Sequence, residues 1–201
     1  LLNLAQQHSI QLIGGDTTAG PLSISISVLG QVPAQHALKR NGAQTDDDIW
    51  VTGPLGLAHL GLQHLQGNIR LADGDMHRCL QALHQPQAKV AIGLALRGIA
   101  HAAIDISDGL LADLRHILTT SNKGARLEWD AIPRLANATL PMRLQQSAAL
   151  AGGDDYELCF TLPEAHRGML ATALQPAAVA VTEIGRIVAG APEIQWLHRG
   201  K

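Results

Sequence analysis

Apolar and polar positions along the chain fall into two periods. From Ser23 to Val32, serine alternates with isoleucine and valine, the period-two pattern of a half-buried strand, and Pro33 closes it. Gln11-Leu12-Ile13 reads as a shorter strand that ends at Gly14-Gly15, and residues 1–8 as the tail of a helix. Leu110, Leu111, Leu114, Ile117 and Leu118 recur at helical spacing and predict an amphipathic helix over 108–120, with Gly124 as its left-handed cap. Residues 55–66, 75–84 and 141–150 also read as helices. Pro86 and Pro163 suit first helical turns, opening helices that run to about Ile99 and Leu174. Short apolar runs at 49–51, 102–104, 126–129, 156–162, 179–181 and 193–197 read as strands, with 184–187 as a further one. Strands that alternate with helices in this way predict a layered α/β or α+β domain. The polar connector at 34–47 puts a domain boundary near 33–40.

Composition narrows the function classes. A length of 201 residues suits one good-sized domain, or one domain and a piece of another. The segment Leu1-Leu2-Asn3-Leu4-Ala5-Gln6-Gln7 already reads as mid-helix, so the natural N-terminus is expected upstream. Aromatic residues make up 2% of the chain, so the core must be built from Ala, Leu, Ile and Val, and stacking platforms for nucleic acid are not expected. The net charge is −2 and there is no run of Lys or Arg, which removes the electrostatic footprint of a nucleic-acid binder. No apolar run approaches about 18 residues, so no membrane span is expected. Cys79 and Cys159 stand far apart and belong to no C-x-x-C pair, which reads as two reduced thiols in a cytosolic protein. The ten histidines lack the His-x-x-x-His spacing of a helical zinc site.

Three acidic, glycine-flanked clusters end apolar runs. In Gly15-Asp16-Thr17-Thr18-Ala19-Gly20 the glycine spacing is that of a P-loop, but Pro21 and Leu22 stand where Lys and Ser or Thr are required. Asp16 is then either a Mg²⁺ ligand or the side chain that forms a turn. In Asp105-Ile106-Ser107-Asp108-Gly109, Ser107 or Asp108 suits a helix N-cap, while Asp105 lies at the carboxyl end of a strand, where layered folds bind ligands. Cap and metal ligand can share that turn. Gly152-Gly153-Asp154-Asp155-Tyr156-Glu157 runs adjacent carboxylates into a strand, against strand propensity, behind a glycine pair that permits close approach of a ligand. Lys39-Arg40 offers phosphate contacts or a solvated loop. Carboxylates at tight turns with few nearby cations suit divalent ions that in turn hold phosphates, so Mg²⁺-dependent phosphoryl transfer is the leading hypothesis.

Together and in this order, these clusters resemble the thiamine-monophosphate kinase family. The resemblance runs through Leu12-Ile13-Gly14-Gly15-Asp16-Thr17-Thr18, Leu38-Lys39-Arg40-Asn41-Gly42-Ala43, Val51-Thr52-Gly53, Ile104-Asp105-Ile106-Ser107-Asp108-Gly109-Leu110 and Gly152-Gly153-Asp154-Asp155-Tyr156-Glu157-Leu158-Cys159-Phe160. It implies an α+β fold: the layered α/β/α C-terminal domain of the aminoimidazole ribonucleotide synthetase-like superfamily, with the last helix and strand of its N-terminal domain. Residues 1–32 would be the remnant of that ATP- and Mg²⁺-binding domain and 33–201 the C-terminal domain. The implied activity is ATP-dependent phosphorylation of thiamine monophosphate to thiamine diphosphate in the cytoplasm, by a protein that is a homodimer when full length. By the same resemblance Gly15, Asp16, Arg40 and Ser107 contact ATP, and Asp16, Asp105 and Asp108 ligate Mg²⁺. Asp154 contacts substrate where the family usually has Glu. Leu57 and Ala58 stand where the family often has Asp-Ser. Further aspartates of the family's N-terminal domain, and an aromatic near its C-terminus, have no counterpart here. No catalytic general base is implied. Two alternatives stay open: another ATP-dependent enzyme of the superfamily, and a nucleotide-binding module without activity of its own.

Overall fold

The structure, a computed structural model, describes residues 1–136, 139–175 and 180–197 and divides into two units, Leu1–Gln35 and His36–Lys201. The first unit opens with helix α1 (Leu2–Gln7). The strands expected at 11–13 and 23–32 do not form, and Ile13, Ile24 and Val28 are exposed. Alternation marks out a face, but a strand exists only when its N–H and C=O groups have a neighbouring ladder. No described residue of this unit supplies one.

The second unit is built on a six-stranded sheet. Strand β4 (Glu157–Leu162) lies antiparallel between β2 (Ala102–Ile106) and β1 (Asp48–Thr52). On the far side of β1, β5 (Val181–Val188) runs antiparallel to it and to β3 (Gly124–Glu128), and β6 (Ile194–Leu197) joins β3 in parallel. The order is β2-β4-β1-β5-β3-β6. A strand expected at 184–187 and one expected at 179–181 are a single strand, β5; Val179 lies outside the described residues.

Period-two alternation sorts the strands into two cores. Ile49, Val51, Ile104, Ile106 and Cys159 face helices α5 (Leu110–Ser121) and α6 (Met142–Ala151). Trp50, Ala103, Leu158, Phe160 and Leu162 face α4 (Val90–Ala95) and α7 (Arg167–Leu174). The result is the helix–sheet–helix layering that the resemblance implies. A bulge in β5 opposite Ile49 and Trp50 allows Ile184 and Ile187, three residues apart, to enter the same core. Helix α5 buries Leu110, Leu114, Ile117 and Leu118 completely; each contributes about 1.5–3 kcal/mol by leaving water. Helices α2 (Leu57–Leu65) and α3 (Asp73–His84) pair beside α6 around a third core. A Cβ at Gly61 would lie 2.7 Å from the Cys79 carbonyl oxygen, so the glycine sets how closely they approach.

Several element ends differ from expectation for identifiable reasons. Helix α4 starts at Val90, not at Pro86, because Lys89 is anchored to Glu157 of β4 at 3.0 Å; it stops early because Gly98 turns at φ +75°. Asn122 (φ 51°), not Gly124, is the left-handed cap of α5, since asparagine tolerates that conformation. Gly124 instead begins β3. Trp129 leaves the strand for a 3-10 turn, and the helix after Pro163 begins as a 3-10 turn over Glu164–His166.

Candidate active site

The site is assembled where β2 and β4 end. Antiparallel pairing sets Asp105 opposite Leu158 and Ile106 opposite Glu157. The pairing continues past the strands: Tyr156 N–H donates to the Ile106 carbonyl at 2.8 Å and Asp154 N–H to the Ser107 carbonyl at 2.9 Å. The second and third acidic clusters are therefore stitched together by backbone. Gly153 permits this, because a Cβ there would meet the Ser107 carbonyl at 2.7 Å.

Asp105 alternates with the buried Ile104 and Ile106 and is exposed, as is Asp108. The phenol of Tyr156 lies beside Asp154. It donates to Asp154 Oδ1 at 3.2 Å, and its pKa is raised by that bond and by the charges of Asp154, Asp105 and Asp108. Among the described residues none of these three aspartates forms an ion pair. Asp154 (φ 66°) and Tyr156 (φ 51°) are both left-handed, an uncommon state for Asp and a costly one for Tyr.

Arg40 reaches the same place from the connector. Its carbonyl accepts bonds from Thr120 Oγ1 (3.1 Å) and Ser121 Oγ (3.3 Å), and the Lys39 carbonyl accepts Ala103 N–H at 3.0 Å. An open cleft of 880 Å³ results, lined by Lys39, Arg40 and Asn41 on one side and Ala103, Asp105 and Leu158 on the other. Guanidinium and carboxylate thus share one cleft without pairing. Gly15 and Asp16 lie in the first unit, where Asp16 Oδ1 accepts the N–H of Thr17 at 2.8 Å, a local turn contact.

The N-cap expected of Ser107 or Asp108 is a correction. Gly109 (φ 111°) is the N-cap residue of α5, and no cap side chain bonds there. Asp113, one turn into the helix and 3% exposed, folds back instead. Its Oδ2 accepts N–H groups from Ser107, Asp108 and Gly109 at 3.0, 3.0 and 3.1 Å. Burial raises the Asp113 pKa, the Asp108 and Ser107 amides oppose the rise, and the Asp108 and Asp105 charges add to it. Asp113 was legible as a polar residue on the apolar face shared with Leu110, Leu114 and Ile117.

Asp155 and Glu157 turn inward. Asp155 Oδ2 accepts Gly56 N–H at 2.7 Å, at the positive end of α2, where a carboxylate is favoured. Glu157 is buried, takes the Thr52 hydroxyl and pairs with Lys89. Burial pushes Asp155 up to about 7 against the Gly56 and Ala58 amides, and Glu157 and Asp154 add to the rise. Its unfolded carboxyl titrates near about 3.9. Between those values the folded chain holds the extra proton, so the contribution of Asp155 to stability falls as pH rises from about 4 to about 7. In thermal unfolding from pH 5 to 8, Asp155→Asn is expected to gain on the wild type as pH rises; a gap that ignores pH would contradict this.

The cysteines are free and fully buried, and burial pushes Cys79 up to about 11 and Cys159 up to about 12, so neither is a nucleophile. Among the described residues no three His, Cys, Asp or Glu side chains stand close enough to hold a metal together, and no helix is long and apolar enough to cross a membrane. Two exposed, unpaired carboxylates do fit Mg²⁺, a hard cation that commonly takes one or two carboxylates and completes its shell with phosphate oxygens and water.

Residues 44–196 match the model of the AIR synthase related protein, C-terminal domain. The chain is 42% identical over 203 residues to the thiamine-monophosphate kinase of Salmonella typhimurium, covering 100% of this chain and 62% of that relative. A crystal structure of thiamine-monophosphate kinase from Stenotrophomonas maltophilia K279a superposes with a TM-score of 0.89 at 42% identity, over 97% of this chain and 64% of that one. A second structure, described as AaThiL complexed with AMPPCP and TMP, has a TM-score of 0.64 at 28% identity, over 82% and 51% of the two chains. The chain thus spans about three-fifths of the length of the curated relatives it matches. With its layered sheet and its paired acidic loops, the chain belongs to the AIR synthase related protein family, and the relatives it matches there are thiamine-monophosphate kinases.

Proposed function

We propose that this chain carries part of the active site of a kinase that uses ATP to phosphorylate thiamine monophosphate to thiamine diphosphate. The observation that carries the reading is that the end of β2 bearing Asp105, the turn bearing Asp108 and the loop bearing Asp154 are joined by backbone pairing, with Asp105 lining a cleft that also holds Arg40. A relative described with both AMPPCP and TMP bound supports a site for a nucleotide and a thiamine phosphate. Residues 1–32 then belong to an N-terminal ATP- and Mg²⁺-binding domain and 33–201 to the C-terminal one, in a cytoplasmic protein that is a homodimer when full length.

Each residue has a physical task. Arg40 suits bidentate contact with nucleotide phosphate. Both the N–H and the carbonyl of Ser107 are engaged, with Asp113 and Asp154, which leaves its hydroxyl for the nucleotide. Asp105 and Asp108 in the second unit, and Asp16 in the first, would each serve as a Mg²⁺ ligand; the ion would offset phosphate charge and keep donor and acceptor in line. Asp154 faces the acceptor, one methylene shorter than the family's usual Glu. The acceptor is a phosphate monoester whose second pKa is about 6, so it is already ionised near neutral pH and no general base is required. This suits a site whose titratable groups are carboxylates.

Purified full-length protein with Mg²⁺ and ATP is expected to release ADP with thiamine monophosphate far faster than with thiamine, other phosphate monoesters or amines. A different preferred acceptor would assign another reaction of the superfamily. A second reading is nucleotide binding without turnover by the 201-residue chain itself. Calorimetry of this chain with Mg²⁺-ATP, beside the same turnover assay, tests it: binding without ADP release supports it, and measurable turnover removes it.

A further inference from the structure

We propose that Asp113 is a positioning residue for the acidic loop: by occupying the amides that open α5, it fixes the turn that carries Ser107 and Asp108 directly after Asp105 of β2 and closes that helix end to phosphate. Three consecutive N–H groups at a helix start form an anion cradle, which in other folds receives phosphate directly. Here one carboxylate oxygen of the same chain takes all three, at 3.0, 3.0 and 3.1 Å, from a side chain that is 3% exposed. Nothing in the apolar packing of α5 calls for an acid there, because Leu110, Leu114 and Ile117 share that stripe. The loop's other main-chain group near the site, the Ser107 carbonyl, is taken by Asp154 N–H. Ligand therefore meets this loop through the Asp105, Ser107 and Asp108 side chains, and any phosphate contact runs through a cation or the serine hydroxyl.

The cation part of this inference rests on the proposed function, so the test carries a readout that needs no metal. Amide hydrogen exchange and Mn²⁺ binding by electron paramagnetic resonance are compared in the full-length wild type, Asp113→Ala and Asp113→Asn. The Ala variant is expected to exchange the Ser107, Asp108 and Gly109 amides at least about tenfold faster, with the rest of the second unit unchanged, and to bind Mn²⁺ about 10- to 100-fold more weakly. Asn keeps an oxygen acceptor, so Asp113→Asn is expected to restore most of both. Unchanged protection in a folded Ala variant overturns the proposal, as does an Asn variant as impaired as Ala, which would make charge and not loop geometry the cause. A wild type that takes up no Mn²⁺ overturns the kinase reading, and exchange then still decides the role of Asp113.

Discussion

Replacing Asp105 with Asn in the full-length protein is expected to lower turnover about 100- to 1,000-fold, the scale of losing one preorganised electrostatic contact to the transferring phosphoryl group. Stability should hardly change. Asp105 is exposed, forms no ion pair among the described residues, and faces the cleft while its neighbours Ile104 and Ile106 fill the core. Asn has the same shape and keeps the β2–β4 ladder, which uses only backbone at this position. What the substitution removes is the negative charge. If the acid serves to gather cations around phosphate, the loss should appear mainly in kcat and be partly relieved by raising Mg²⁺. Steady-state kinetics beside thermal unfolding checks this, and wild-type turnover at saturating Mg²⁺ would remove Asp105 from the proposed role.

The largest expected loss of stability follows Phe160→Ala. Phe160 is fully buried at the middle of β4, which is itself flanked by β1 and β2, and it fills the core beneath α4 and α7 with Ile92, Leu96 and Leu170. Its neighbours are held by their own strands and helices and cannot close the space, so lost transfer energy and a residual cavity add to about 3–5 kcal/mol. For a chain of this size the thermal midpoint should fall by roughly 10 °C. Because the Asp105 side chain is exposed and Asp154 precedes β4, outside the core that Phe160 fills, the cost should fall on unfolding and not on the chemistry of any protein that remains folded. Chemical denaturation measures it, and a loss below about 1 kcal/mol would contradict the assigned core.

Much of the second unit was legible because its elements combine two local signals: a period and a stop. The stripe of Leu110, Leu114 and Ile117 carries its own burial pattern, and the continuous apolar run of β4 suits a strand covered by helices on both faces. Ser23 to Val32 carries an equally clear alternation and forms no strand, because pairing is a property of two segments and periodicity of one. The ends of α4 and α5 were missed where a tertiary contact (Lys89 with Glu157) or a rarer left-handed residue (Asn122) decided them.

The acidic clusters were visible as motifs, but their division of labour was not. Adjacent carboxylates look alike in sequence. The fold sends Asp155 to the start of α2 and Glu157 to Thr52 and Lys89, and leaves Asp154 outside with Asp105 and Asp108. Asp113 is not among the residues singled out in the sequence, although an acid on an apolar stripe is itself the signal that could have found it.

Asp105 and Asp108 are proposed to hold nucleotide phosphates through shared cations while Arg40 contacts the same nucleotide. A crystal structure of the full-length protein with Mg²⁺ and a non-hydrolysable ATP analogue tests it most directly. Mg²⁺ is expected to be held by the carboxylates of Asp105 and Asp108 together with the nucleotide phosphates, with the guanidinium of Arg40 in the same cleft. Nucleotide and metal bound elsewhere, with both carboxylates left in solvent, would contradict it.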